Sequence, residues 1–143
     1  YWNNFRRDEL TSFIGNINSS IKSIRPGIKF SAAVKPNPDV ARNRFFQDWP
    51  SWLNNGSMDF VIPMNYAKSE IDFKRSMTMM KKERINPDQI FMGIATYNQN
   101  SFTSSAKIAH SRDAGFSNLI IFSYDTYEKD PRYFDQIHRS FKK

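Results

Sequence analysis

IKFSAAVKPNP (residues 28–38), RFFQDWPSWLNNG (44–56) and SMDFVIPMNYAK (57–68) read in succession as strand, loop with a short helix, and strand. Both strands are short and apolar, as expected of parallel strands covered on two faces. Each runs at its C-terminal end into a polar or aromatic cluster, Lys35-Pro36-Asn37-Pro38 after the first and Asn65-Tyr66 after the second. In α/β folds, ligands and catalytic groups collect at those ends. Pro50 sits where it opens a new helical turn, and Asn54-Asn55-Gly56 closes it. Pro63 is awkward inside a ladder, which predicts a bulge or the strand's end.

The same rhythm extends outward. Residues 1–25 form an apolar stripe of Leu10, Phe13, Ile14, Ile17, Ile21 and Ile24 at helical steps, stopped by Pro26-Gly27. A helix over 71–84 carries Phe73, Met77 and Met80 on one face. A strand over 90–96 ends at Tyr97-Asn98, and a helix over 102–114 is capped by Gly115. A strand over 118–124 ends at Asp125, and a last helix spans 133–141. Strands begin near 28, 58, 90 and 118, one βα unit every thirty residues or so.

The sum is one helix followed by four βα units, half of an eight-stranded barrel. Bare parallel edges are rare. Three arrangements answer that: a second half elsewhere, two paired copies, or an open doubly wound sheet. No glycine-rich phosphate loop follows any strand, which argues against dinucleotide and P-loop folds.

The 143 residues hold 39% hydrophobic and 15% aromatic residues, enough for one domain with a core. Cysteine is absent, which excludes a disulfide framework, a thiolate zinc site and a thiol nucleophile. The charge of +7 suits an anionic partner, yet Lys and Arg are scattered rather than blocked, so nucleic acid is not the expected partner. No run is long enough for a membrane span. The chain opens on Tyr1 rather than Met, directly before a helix, as a processed product or a piece cut from a longer protein would.

YWNNFRRDEL (1–10), FSAAVKPNP (30–38), FQDWPSWLNNGSMDFVIPMNY (46–66) and the GxxxY of GIATY (93–97) resemble the glycosyl hydrolase-like 10 family, barrel proteins of bacteria. Gln47-Asp48-Trp49, Trp52-Leu53, Asn55-Gly56, Asp59-Phe60 and Pro63-Met64-Asn65-Tyr66 are the specific part. The resemblance implies a (β/α)8 TIM barrel, of which residues 1–143 are the C-terminal half, strands five to eight. It implies a secreted, periplasmic or cell-surface protein acting on a polysaccharide. The family's Asp-rich segment at the end of strand four is not in this sequence, so the main catalytic carboxylate is expected outside it.

Glycosidases use two carboxyl groups about 5–5.5 Å apart for retention or about 6.5–9.5 Å for inversion. Asp48, in the matched Gln47-Asp48-Trp49, is the catalytic candidate; its alternative role is a helix cap or structural hydrogen bond. Asn65 and Tyr66 carry an amide and a ring suited to hydroxyls and sugar faces. Lys35, Asn37, Trp49, Tyr97, Tyr124 and Asp125 complete the substrate-binding candidates. Trp49 and Trp52 also suit the core. Glu70 could reach the strand ends, whereas Asp59 starts a strand and reads as structural. His110 and His138 lack metal-ligand partners at useful spacing, Ser104 and Ser105 lack a nucleophile-elbow setting, and no cofactor is expected.

These residues point to part of a glycoside hydrolase. The alternatives are a glycan-binding module without catalysis and, less favoured, a basic nucleic-acid-binding sheet protein. The expected partners are an oligo- or polysaccharide and either the other half-barrel or a second copy of this chain.

Overall fold

The computed structural model describes residues 1–141. Seven α-helices and four strands alternate among them: α1 (Trp2–Ile24), β1 (Ser31–Val34), α2 (Pro38–Arg44), α3 (Trp49–Asn54), β2 (Phe60–Pro63), α4 (Glu70–Lys82), β3 (Phe91–Ala95), α5 (Ser101–Asp113), β4 (Asn118–Phe122), α6 (Asp125–Lys129) and α7 (Arg132–Phe141). The caps follow the sequence. Asn37, Ser69 and Asn100 accept backbone N–H groups at the starts of α2, α4 and α5. Pro50 lies in the first turn of α3, where a missing N–H costs nothing. Gly56 and Gly115 take φ of 74° and 91° after α3 and α5, a region that favours glycine. The five-residue α6 was not foreseen, because the expected strand ran on through Tyr124.

All four strands are parallel and lie in chain order. β1 pairs with β2 in the register Ser31↔Phe60 to Val34↔Pro63. β3 pairs with β4 from Phe91↔Asn118 to Ala95↔Phe122. Between the two pairs only the bridges Val61↔Ile90 and Met64↔Gly93 are made. Pro63 explains the gap. The Met64 N–H donates to Val34 on β1, while the Asn65 N–H donates to Gly93 on β3. Alternate residues thus face alternate neighbours, and position 63 should donate toward β3. Proline has no N–H to give.

The register sorts the side chains onto two faces. Ala32, Val34, Val61, Ile90, Met92, Ile94, Leu119 and Ile121 point at the helices. They pack with Trp49, Trp52, Phe73, Met77, Met80, Ile108, Phe116 and Ile137 into one core. The opposite face carries Ala33, Phe60, Ile62, Phe91, Ile120 and Phe122. It is apolar too, yet Phe60, Ile62, Phe91 and Ile120 are only half-buried and Ala33 and Phe122 are exposed. Phe60 and Phe91 meet there with ring centroids 4.2 Å apart.

Helix α1 lies against α3 through Trp52 Nε1–H donating to Thr11 Oγ1 at 3.0 Å. Leu10 and Ile14 pack on the core, but no residue of α1 is fully buried. Phe13 and Ile24 of its expected apolar stripe are exposed. At the foot of the sheet Asp59 joins three elements. Lys22 Nζ reaches Oδ2 at 2.8 Å, the Phe30 N–H reaches it at 2.7 Å, and Lys29 reaches Oδ1 at 3.3 Å. Burial alone would raise the Asp59 pKa, but these donors outweigh it and lower it to about 2.

Candidate functional site

Because the strands are parallel and in chain order, Lys35, Asn65-Tyr66, Thr96-Tyr97 and Ser123-Tyr124-Asp125 come to one rim of the sheet. Three rings from three neighbouring strand ends meet there. Tyr66 stacks on Phe122 at 5.6 Å with 10° between planes. Tyr97 stands edge-on to both, at 6.1 and 6.0 Å. Tyr97 and Phe122 are about half exposed, so the cluster offers ring surface to a ligand. Tyr124 is more exposed and leans on Tyr127 at 5.5 Å. Burial, and then the neighbouring Tyr97, push the Tyr66 phenol above its usual range.

Gly93 makes room for this cluster. A Cβ at that position would lie 2.9 Å from the Pro63 carbonyl oxygen and 3.3 Å from Tyr66 Cε1. The glycine of the GIATY motif is therefore needed for the approach of Tyr66, four residues before the tyrosine that completes the motif.

The loops behind the rings are tied by side chains. Asn98 Nδ2 donates to the Tyr66 carbonyl at 3.1 Å. Lys107, buried on α5, donates to the carbonyls of Ala67 and Lys68 at 2.6 and 3.2 Å and to Gln99 Oε1. The Gln99 amide in turn donates to Ser104 Oγ at 2.9 Å. Tyr133 OH, 2.8 Å from Ser104 Oγ, donates to the Thr96 and Gln99 carbonyls at 3.2 and 3.0 Å. Burial lowers the Lys107 pKa, partly opposed by the field of Glu70.

Asp125, half-exposed at the end of β4, accepts hydrogen bonds from Ser123 Oγ and, at 3.3 Å, from Lys129 Nζ. Lys35 holds its ammonium 4.6 Å from the Phe45 ring centroid. Its backbone is pinned by Gln47 Oε1, which accepts its N–H at 3.0 Å, and by Trp49 Nε1, which donates to its carbonyl at 3.1 Å.

Four expected site residues have ring or polar groups engaged within the fold. Trp49 is completely buried, so no ring face is left for a sugar; its indole braces Lys35. Asn65 is buried, and its amide donates to the Phe73 carbonyl at 3.1 Å, joining β2 to α4. Asn37 spends its carbonyl oxygen on the N–H groups of Asp39 and Val40. Asp48 accepts from Arg42 Nε and Ser51 Oγ, both at 3.0 Å, and Arg42 also holds Glu83 at 3.1 Å. Glu83 caps the C-terminus of α4, the end remote from the strand tips, so the Asp48 carboxylate faces the helical layer. Burial would lower the Arg42 pKa, but Glu83 and Asp48 outweigh it and raise it. Glu70 is engaged at the surface by Lys74 at 2.7 Å and His110 at 2.8 Å, which lower its pKa.

Phe122 and Lys107 were not anticipated. Phe122 is legible afterwards as the aromatic that ends the apolar run of β4, whereas nothing in the sequence distinguishes Lys107 from a solvated helix lysine. Among the described residues no group of three or more His, Asp or Glu is placed to hold a metal ion, and no helix is long and apolar enough to cross a membrane.

In fold the chain is similar to the PgaB (BpsB) glycoside hydrolase domain from Bordetella bronchiseptica, with a TM-score of 0.70 at 13% identity. The match covers 94% of this chain and 42% of that one, so the chain spans less than half of its structural neighbour. No curated protein matches it. The family model for glycosyl hydrolase-like 10 matches residues 1–109. That segment contains the ends of β1, β2 and β3 and stops before β4. With three quarters of its length under that model, the chain belongs to the glycosyl hydrolase-like 10 family.

Proposed function

We propose that this chain forms the ligand-facing rim of strands five to eight in a (β/α)8 barrel that hydrolyses a glycosidic bond in a polysaccharide outside the cytoplasm. The observation that carries the reading is the ring cluster of Tyr66, Tyr97 and Phe122 at adjoining parallel strand ends, in a chain of a glycosyl hydrolase-like family. Exposed rings fit the apolar faces of sugars, and tyrosine hydroxyls fit their hydroxyls. Asp125 is the carboxylate at a strand end with solvent access, and we assign it to proton handling or hydroxyl binding beside those rings. A second carboxylate is expected from the remainder of the barrel.

The uncovered inner face supports the half-barrel assignment, as do the outer edges of β1 and β4, which pair with no other strand among the described residues. The helix count bears on what covers them. An eight-stranded barrel has eight strand junctions. This chain covers five with α1, α2–α3, α4, α5 and α7, two of them shared with the complement. A second copy would place its own α1 where α7 already lies, and the reverse. The complement that fits has four strands and three helices.

Titration of the full-length protein with chitohexaose and cellohexaose, beside a reducing-end release assay, tests the function. Binding with release supports hydrolysis. Binding without release supports a glycan-binding module, a reading favoured by the engagement of Asp48 with Arg42 and Ser51. Absence of both removes glycans of these two classes.

A further inference from the structure

Among the described residues, Lys107 is the one charged side chain that is fully buried. Only 1% of the residue is exposed, and among the described residues it forms no ion pair with a carboxylate. Its hydrogen bonds go to the carbonyls of Ala67 (2.6 Å) and Lys68 (3.2 Å) and to Gln99 Oε1. The Phe73 ring lies 5.5 Å away. A charge buried on neutral acceptors is costly to keep. An apolar side chain of similar length would fill the same space on α5 without that cost. What it could not do is hold two consecutive loop carbonyls and a third acceptor from the next loop.

Those loops carry the ring cluster. Ala67 and Lys68 directly follow Tyr66, and Gln99 lies two residues after Tyr97. Asn98 Nδ2 holds the Tyr66 carbonyl from the same side, at 3.1 Å. The β2–α4 and β3–α5 loops thus share one fastening, and the β2–β3 ladder, interrupted at Pro63, supplies little of its own.

We propose that Lys107 is a positioning residue: it clamps the β2–α4 loop to the β3–α5 loop and so fixes the spacing of Tyr66 and Tyr97 for a ligand. It touches no ligand itself. The proposal rests on the reading of the rim as a glycan site, and the test separates the two.

The experiment compares Lys107→Met, Lys107→Arg and Gln99→Met with the parent in the full-length protein. Two quantities are read: affinity for whichever of chitohexaose or cellohexaose the parent binds, and amide hydrogen exchange. In Lys107→Met, exchange at residues 67–70 and 98–100 is expected to rise tenfold or more, while β3 and α5 keep their protection. Affinity is expected to fall at least tenfold. Lys107→Arg, which keeps a cationic donor, should recover part of both. Gln99→Met removes one acceptor and keeps the charge, so a milder change of the same pattern is expected; it carries the test if Lys107→Met does not fold.

A uniform rise of exchange through β3 and α5 would mean a structural lysine and overturn the proposal. So would unchanged exchange in the two loops, or unchanged affinity in a parent that binds. A parent that binds neither sugar removes glycans of these two classes, and with them the positioning role proposed for Lys107. The exchange pattern still shows in that case whether the two loops are fastened by Lys107.

Discussion

At the scale of single residues, the close contacts at Gly93 give the sharpest expectation. Gly93→Ala sets a Cβ against the Pro63 carbonyl oxygen, a backbone atom that cannot rotate away. Overpacking of this kind costs about 1–3 kcal/mol, so the chemical denaturation midpoint should fall and any sugar affinity that uses Tyr66 should fall with it. Asp59 contributes to acid stability. Its pKa is depressed from 3.8 to about 2 in the folded chain, so its contribution is present above pH 4 and is lost as the pH falls toward 2. Urea midpoints measured across that window should decline, and Asp59→Asn should flatten that part of the profile. The Tyr66 and Tyr133 phenols, both raised chiefly by burial, should be the late-ionising tyrosines in an absorbance titration. Tyr66→Phe should remove amplitude from that late phase. The Asp59 and tyrosine expectations were beyond the sequence, since they depend on which groups meet across 29 residues or more.

At the scale of elements, periodicity carried most of the information. The helical stripe of α4, the Gly115 cap of α5 and the apolar runs of the strands place element boundaries within about three residues, because amphipathic period and turn residues are local properties. Pro50 and Gly115 took their expected places for the same reason. What periodicity could not show is how a side chain is used once the elements pack. Asp48 has the motif context of a functional acid, yet Arg42 lies six residues before it and turns its carboxylate toward α4. Trp49 has the chemistry of a stacking platform, yet it is the central core residue of α3. Trp49→Ala is therefore expected to cost about 3–5 kcal/mol in stability, measured by equilibrium unfolding, with sugar affinity in the surviving folded fraction changed far less than by Tyr97→Ala.

At the scale of the whole molecule, the sheet has one helix-covered face and one bare apolar face. The four parallel βα units were legible in the sequence, but what covers the bare face was not, because two paired copies and a single long chain leave the same pattern of strands. Five helical layers for four strands weigh against the paired copies. The isolated chain is therefore expected to bind the hydrophobic dye ANS and to show no discrete compact dimer by light scattering. A stable, dye-silent dimer would contradict the proposed complement. Pro63 has a consequence at this scale as well. It divides the sheet into two leaves, with Tyr66 on one and Tyr97 and Phe122 on the other. The rings are therefore held across that division by side-chain fastenings, Lys107 to the Ala67 and Lys68 carbonyls and Asn98 to the Tyr66 carbonyl, more than by strand pairing. Few backbone bonds bridge the two leaves at that height, among them Asn65 N–H to the Gly93 carbonyl at 3.1 Å, so the ring geometry depends on a handful of side chains of the helical layer and loops.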